Sequence, residues 1–271
     1  MSKTTIENLP TDILIQIVRY LDQKSQLELG LVSKCISYIS IKQLWHTPRC
    51  TTITALEKWV HTLNKTHNAY PYRTWLIGLD LAFDNIQHVP DSILIPRQIL
   101  LRSVKLHNVQ ATSSTFIELF CDEIEEIEFS NCSADIIIGF TTQMSDKKKK
   151  YLKLYKFSIL DCYLTDALVN QIVSFTPKLR YFGSQGSGYM SDSAILAITE
   201  NCPLIETLIV TLPKYIIQSN TITSVSLEAL SKCLHLKKFI CTGQVRIATE
   251  ERGSWLLEKC TSLEHCDLSF S

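Results

Sequence analysis

The sequence has no net charge: 27 Lys and Arg balance 27 Asp and Glu over 271 residues, and the sequence pI is about 7.0. No global field therefore favours nucleic acid or an anionic membrane, and partners must be chosen by local surface. No uninterrupted apolar run approaches the roughly 20 residues that span a bilayer, and the amino-terminal stretch MSKTTIENLP lacks the apolar core of a signal peptide. A soluble, unsecreted chain in the cytoplasm and/or nucleus is the expectation. Ten cysteines are present but spread without tight pairs, so reduced thiols are expected, and the sequons at Asn64 and Asn131 read as chance matches. No CxxC pair, HExxH, GxSxG or phosphate-cradling glycine loop occurs, and the seven His are scattered. No catalytic centre, metal site or cofactor is expected. A Cys-dependent or metal-dependent enzyme, for instance a thiol beside His107 or His265, has no motif behind it.

What is present begins at residues 9–45. Leu9-Pro10 opens a helix, Pro10 supplying a φ suited to a first turn. Ile13, Leu14, Ile17, Val18 and Leu21 then recur at helical spacing, predicting one apolar stripe on a helix ending near Asp22. Ser25 followed by Glu28 reads as a capping box, predicting a second helix from Gln26 that carries Leu27, Leu31, Val32, Cys35, Ile36 and Ile39. A third, shorter piece holds Leu44 and Trp45. Three short helices cannot bury these faces among themselves, so the segment needs a partner.

The order LPxD, VSK and LW resembles an F-box, the small helical motif that docks on Skp-type adaptors in cullin ubiquitin ligases. The resemblance is carried by Leu9, Pro10, Asp12, Ile13, Leu14, Ile17, Tyr20, Leu21, Asp22, Leu27, Leu31, Val32, Ser33, Lys34, Leu44 and Trp45. It implies an adaptor-binding face made of Leu9, Pro10, Ile13, Leu14, Ile17, Leu21, Leu27, Leu31, Val32, Lys34, Leu44 and Trp45. Ile36 stands where the family usually has an aromatic residue. An ordinary helical cap on a larger fold would need an apolar face but not this order of elements. Eight side chains buried on a partner would supply about 12–24 kcal/mol gross, against an association cost of about 4–15 kcal/mol.

Thr54 and Glu57 form another apparent capping box, and Leu56, Trp59, Val60 and Leu63 stripe a helix expected to join the two parts rigidly. Beyond it the pattern apolar-x-x-apolar-x-apolar recurs at Leu76/Leu79/Leu81, Leu101/Val104/Leu106, Ile124/Ile127/Phe129, Leu154/Phe157/Ile159, Leu179/Phe182/Ser184, Ile205/Leu208/Val210, Leu236/Phe239/Cys241 and Leu263/Cys266/Leu268. Successive starts lie 25, 23, 30, 25, 26, 31 and 27 residues apart, close to the period of about 20–29 residues of leucine-rich repeats. Eight units, each a short strand and a helix, are expected. The stretches 164–177 and 190–203 align without a gap and 222–233 follows them, each with a capping Thr or Ser near its start. The whole resembles the cysteine-containing class of leucine-rich repeats, most strongly after residue 150. Cys132 and Cys162 occupy the ninth pattern position, and Cys202, Cys233 and Cys260 precede strands; small buried packing groups are the expectation for all five.

The expected organisation is therefore α/β: an F-box motif over 5–50, a linking helix over 51–72, and a leucine-rich-repeat solenoid, a horseshoe, over 73–271. Residues between the core positions should line its concave face, giving client-facing candidates Lys105, His107, Glu126, Glu128, Lys156, Tyr181, Thr207 and Lys238, with Ser158, Gln185, Thr211, His265 and Asp267 beside them. The charge run Asp146–Lys150 reads as a solvated loop. The stretch 213–222 is more apolar than a plain loop needs. The last strand, LEHCDLSFS, lacks the polar capping unit that an isolated solenoid requires. The resemblance implies the substrate receptor of a Skp–cullin–F-box ubiquitin ligase, with a Skp-type adaptor, a cullin and an unknown client as partners and neither nucleic acid nor membrane. The alternative is a scaffold or inhibitor that binds the adaptor without driving ubiquitination.

Overall fold

The computed structural model describes residues 6–65, 70–93, 95, 99–112, 114–116, 119–147, 151–188, 190–212, 221–244, 247 and 250–269. After a short 3-10 turn at Ile6–Asn8, three helices follow: α1 (Thr11–Tyr20), α2 (Gln23–Gly30) and α3 (Lys34–His46). Their boundaries correct the sequence reading. Asp22, not Ser25, caps α2, its carboxylate accepting from the Ser25 N–H at 2.7 Å. The expected second helix is in fact two, broken after Gly30, with Ser33 accepting from the Ile36 N–H to start α3. Leu44 and Trp45 thus share one helix with Cys35, Ile36 and Ile39. Leu14, Val18 and Ile39 form a small core of their own, with Leu9, Ile15 and Leu29 packed on it.

The two-residue strand β1 (Arg49–Cys50) then leads into α4 (Ile53–Asn64). Thr52, rather than Thr54, caps α4, accepting from the Ala55 N–H at 3.1 Å. Leu56, Trp59, Val60 and Leu63 are buried as the stripe predicts, and together with Cys50 they belong to the same core as the sheet that follows. The helix is therefore packed on the sheet, and β1 adds a strand for which the repeat pattern gave no signal.

After the four-residue turn α5 (Tyr72–Trp75) come β2 (Gly78–His88), β3 (Ser103–Gln110), β4 (Glu126–Ser130), α6 (Ala134–Lys147), β5 (Lys156–Leu160), α7 (Asp166–Ser174), β6 (Tyr181–Gln185), α8 (Asp192–Asn201), β7 (Thr207–Thr211), α9 (Ser224–Leu230), β8 (Lys238–Thr242), α10 (Glu250–Lys259) and β9 (His265–Asp267). The nine strands pair in parallel in sequence order, an unclosed sheet compatible with a solenoid. The eight expected pattern triplets all meet the sheet. Leu79, Val104, Ile127, Phe157, Phe182, Leu208, Phe239 and Cys266 stand in one register row, and Leu81, Leu106, Phe129, Ile159, Ser184, Val210 and Cys241 in the next. The unit of one strand and one helix holds from β4 onward; among the described residues no α-helix separates β2, β3 and β4. The capping residues of the aligned stretches act as expected: Thr165, Ser191 and Thr223 accept from N–H groups of α7, α8 and α9. Asp146 and Lys147 of the charge run belong to the last turn of α6 and not to a loop; residues 148–150 of that run and 213–220 of the apolar insertion lie outside the described residues.

Candidate functional surfaces

The proposed adaptor-facing residues divide into two sets. Leu31 is 88% exposed, Val32 62%, Leu27 59% and Ile13 42%. Pro10 and Lys34 are also exposed, and Leu9, Ile17 and Leu21 are half-buried. Tyr20, 92% exposed, adds an aromatic ring to this outer set. Leu14 is the correction: at 2% exposure it belongs to the inner core of the unit and has no surface to offer. Ile36, at the position where the resemblance leads one to expect an aromatic residue, is likewise fully buried and contributes nothing to the outer face. Trp45 faces the sheet: half-buried, it packs on the main core and stacks on Tyr72 with ring centroids 4.1 Å apart. Leu44 is half-buried.

Four exposed apolar side chains within twenty residues need a physical account, because a free helical unit of this size gains nothing by wetting them. Leu27 points out from α2, and Leu31 and Val32 occupy the break between α2 and α3. Gln26, directly before Leu27 in sequence, is buried and donates to the carbonyls of Val18 (2.9 Å) and Leu21 (3.0 Å). A polar residue therefore points inward to lock α1 to α2 while its apolar neighbour points outward. This inverts the usual patterning and leaves an apolar patch in water.

The second surface is the outer face of the sheet. The register places Glu126, Lys156, Tyr181, Thr207 and Lys238 in one row, Asp80, Lys105, Glu128, Ser158, Gly183, Ile209 and Ile240 in a second, and His107, Ser130, Leu160, Gln185 and Thr211 in a third. All eight client-facing candidates from the sequence lie on this face and are half-exposed. Its charges pair among themselves: Lys105 with Glu128 at 3.9 Å, Lys156 with Glu126 at 3.9 Å, Arg49 with Asp80 at 3.7 Å, and His107 3.8 Å from Glu128 and 4.0 Å from Asp80. Tyr155 donates to Glu126, and that bond pushes the phenol up to about 12. From β6 to β8 the middle row is uncharged, Gly183, Ile209 and Ile240, and it ends on Asp267 of β9. The alternation rule that selects Lys105 and Glu128 also selects Asp80, which lies one strand before them, and the apolar Ile209 and Ile240, which attention to polar residues alone passes over.

The cysteines are all free thiols. Cys132 donates to the Leu106 carbonyl at 3.1 Å and Cys162 to the Leu160 carbonyl at 3.2 Å, while the Cys132 N–H is received by the Cys162 sulfur at 3.2 Å. Contact with Cys132, then burial, pushes the Cys162 thiol up. Burial does the same to Cys50, Cys233 and Cys266, each to about 11, and to Cys202, to about 12. Thiols raised in this way are poor nucleophiles at neutral pH; Cys132 alone is held below its ordinary value, by its contact with the Cys162 thiol. Among the described residues no group of three or more His, Cys, Asp or Glu is placed to hold a metal ion, and no helix is long and apolar enough to cross a membrane.

Comparison with known proteins finds a match over the helical unit that carries the first of these surfaces. The family model described as F-box-like matches residues 6–51, which are α1 to β1 together with the preceding turn. No curated protein matches the chain.

Proposed function

We propose that this chain docks on a Skp-type adaptor through its F-box-like domain and acts as the substrate receptor of a Skp–cullin–F-box ubiquitin ligase. F-box domains generally bind such adaptors, and residues 6–51 match that family. The carrying observation is the outward set Ile13, Leu27, Leu31 and Val32, left in water by a unit that buries Leu14 and Val18. Burying those four with Tyr20 would contribute about 8–15 kcal/mol gross, against an association cost of about 4–15 kcal/mol. The half-buried Leu9, Ile17 and Leu21 are the reserve that brings the balance down on the side of a stable complex.

The sheet, on this reading, is a leucine-rich-repeat solenoid of the cysteine-containing class, and its outer face holds a client. The chain contributes position and no bond chemistry; an E2 enzyme carried by the cullin acts on client lysines at raised effective concentration. Ten free thiols suit a reducing compartment, the cytoplasm or nucleus.

The test is adaptor affinity of Leu31→Asp. Because Leu31 is exposed, the variant should keep its circular dichroism and melting temperature, yet lose at least about 100-fold in adaptor affinity, the loss of about one buried leucine plus the burial of a carboxylate. Leu14→Asp, by contrast, should unfold the helical unit. Unchanged adaptor affinity in Leu31→Asp overturns the docking reading. A reconstituted reaction with adaptor, cullin and E2 separates a receptor from a scaffold.

A further inference from the structure

We propose that the cleft between the three-helix unit and the entry to the sheet is a binding site for a small organic phosphate. The cleft has a volume of about 650 Å³ and is walled by α1, α3, α5 and the residue leading into β2. That volume lies within the range of about 300–1,000 Å³ typical of small-ligand sites. Three basic side chains, Arg19, Lys42 and His46, line it, and no Asp or Glu does.

The basic groups converge from two helices. Lys42 and His46 are one turn apart on α3, and Arg19 enters from the last turn of α1. Neither Arg19 nor Lys42 has an ion-pair partner among the described residues. The His46 imidazole is held below its ordinary value, first by burial and then by repulsion from Arg19, Lys42 and Arg102, so these charges act on one point. The carboxyl ends of α1 and α3 each bring about half a negative charge. They offset about one of the two positive charges of Arg19 and Lys42 and leave roughly one uncompensated; Arg102, outside the lining and paired with Glu125 at 3.7 Å, adds little. An anion in the cleft would relieve this repulsion.

The lining also sets the ligand's chemistry. A guanidinium fork beside an ammonium suits the oxygens of a phosphate, the first bidentate and the second as a point charge. Gln43 offers an amide on the same wall, and the half-exposed ring of Tyr38, edge-on to Trp75 at 5.2 Å, provides a flat apolar patch for the rest of the molecule. A bare inorganic ion would leave that patch empty.

Phenyl phosphate and inorganic phosphate serve as probes, titrated into the full chain at constant ionic strength while the His46 ring resonances are followed by NMR. The expected result is a saturable one-site shift, an upward move of the His46 titration on binding, and tighter binding of phenyl phosphate than of inorganic phosphate. Arg19→Gln and Lys42→Gln, both at exposed side chains, should keep the fold by circular dichroism and each weaken binding about tenfold, whereas the exposed Lys178→Gln, outside the cleft, should not. Non-saturating shifts, or an equal effect of Lys178→Gln, would mean general charge screening and overturn the site. Equal affinity for the two probes would overturn the role given to Tyr38 and Trp75.

Discussion

Asp192 shows how a single side chain ties one layer of the molecule to the next. At the first turn of α8 it accepts from the Thr223 N–H at 2.8 Å, the Thr223 hydroxyl at 2.7 Å and the Ser226 hydroxyl at 2.5 Å, all on the following layer. Asp166 does the same for Ser191 one layer earlier. Partial burial raises the Asp192 carboxyl, but the bonds from Ser226 and Thr223 outweigh it and hold the group below its ordinary value of 3.8. A depressed carboxylate contributes stability that is present above the ordinary value and lost as pH falls through the folded one. Asp192→Asn should therefore cost about 1.5–3 kcal/mol at pH 7, and the difference from the parent chain should shrink in urea titrations repeated near pH 3. Some of this scale is legible in sequence and some is not. Thr165, Ser191 and Thr223 are readable as caps because a hydroxyl precedes each apolar stripe. The left-handed backbone at Asn108, Asn131, Asp161, Gly186 and Gly243 escapes, although each stands eighth in its strand pattern. The signal there is a recurrence of Asn, Asp and Gly, the residues that tolerate positive φ, and a search for apolar positions does not see it. This recurrence also gives Asn131, whose sequon reads as a chance match, a place in the architecture, since its side chain donates to Asn108 at 2.8 Å.

At the scale of elements, the strands follow from the triplets because core burial and parallel register ask for the same residues. An aromatic group runs through the middle of the stack. Phe129 lies 6.0 Å from Phe157, Phe157 5.9 Å from Phe182, and Phe140 of α6 lies 4.8 Å from Phe120 and 6.0 Å from Phe157. Phe157→Ala should cost about 3–5 kcal/mol, measured as a lowered urea midpoint, because three rings lose a neighbour at once. The helical unit is harder to read. Leu31 and Val32 continue the apolar period across the gap between α2 and α3, so periodicity alone joins two helices into one. Both are exposed, whereas periodicity assumes that apolar residues point in. The strand β1 escapes for the opposite reason: two residues, Arg49 and Cys50, are too few to carry any pattern.

For the whole molecule, the decisive feature is that it has two cores of unequal size. One runs from Cys50 to Leu268, and the other consists of Leu14, Val18 and Ile39 with three half-buried neighbours. Local opening follows the number of buried apolar contacts, so amide hydrogen exchange should be faster across α1–α3 than across β4–β7. A bound adaptor should slow exchange in α1–α3, since whatever binds only the folded form stabilises it; equal protection of both regions without a partner would contradict this. The connection between the two cores is short. His46 ends α3, its carbonyl accepts from the Ile77 N–H at 2.8 Å, and the Pro48 carbonyl accepts from Asp80 at 3.1 Å before β1 pairs with β2. Only Thr47 and Pro48 separate helix from strand, and the Trp45–Tyr72 stack joins α3 to α5. The junction is thus a bracket and not a tether: any protein that grips the small helices also fixes the compass heading of the large sheet, and cargo carried there would be offered to its surroundings at one angle.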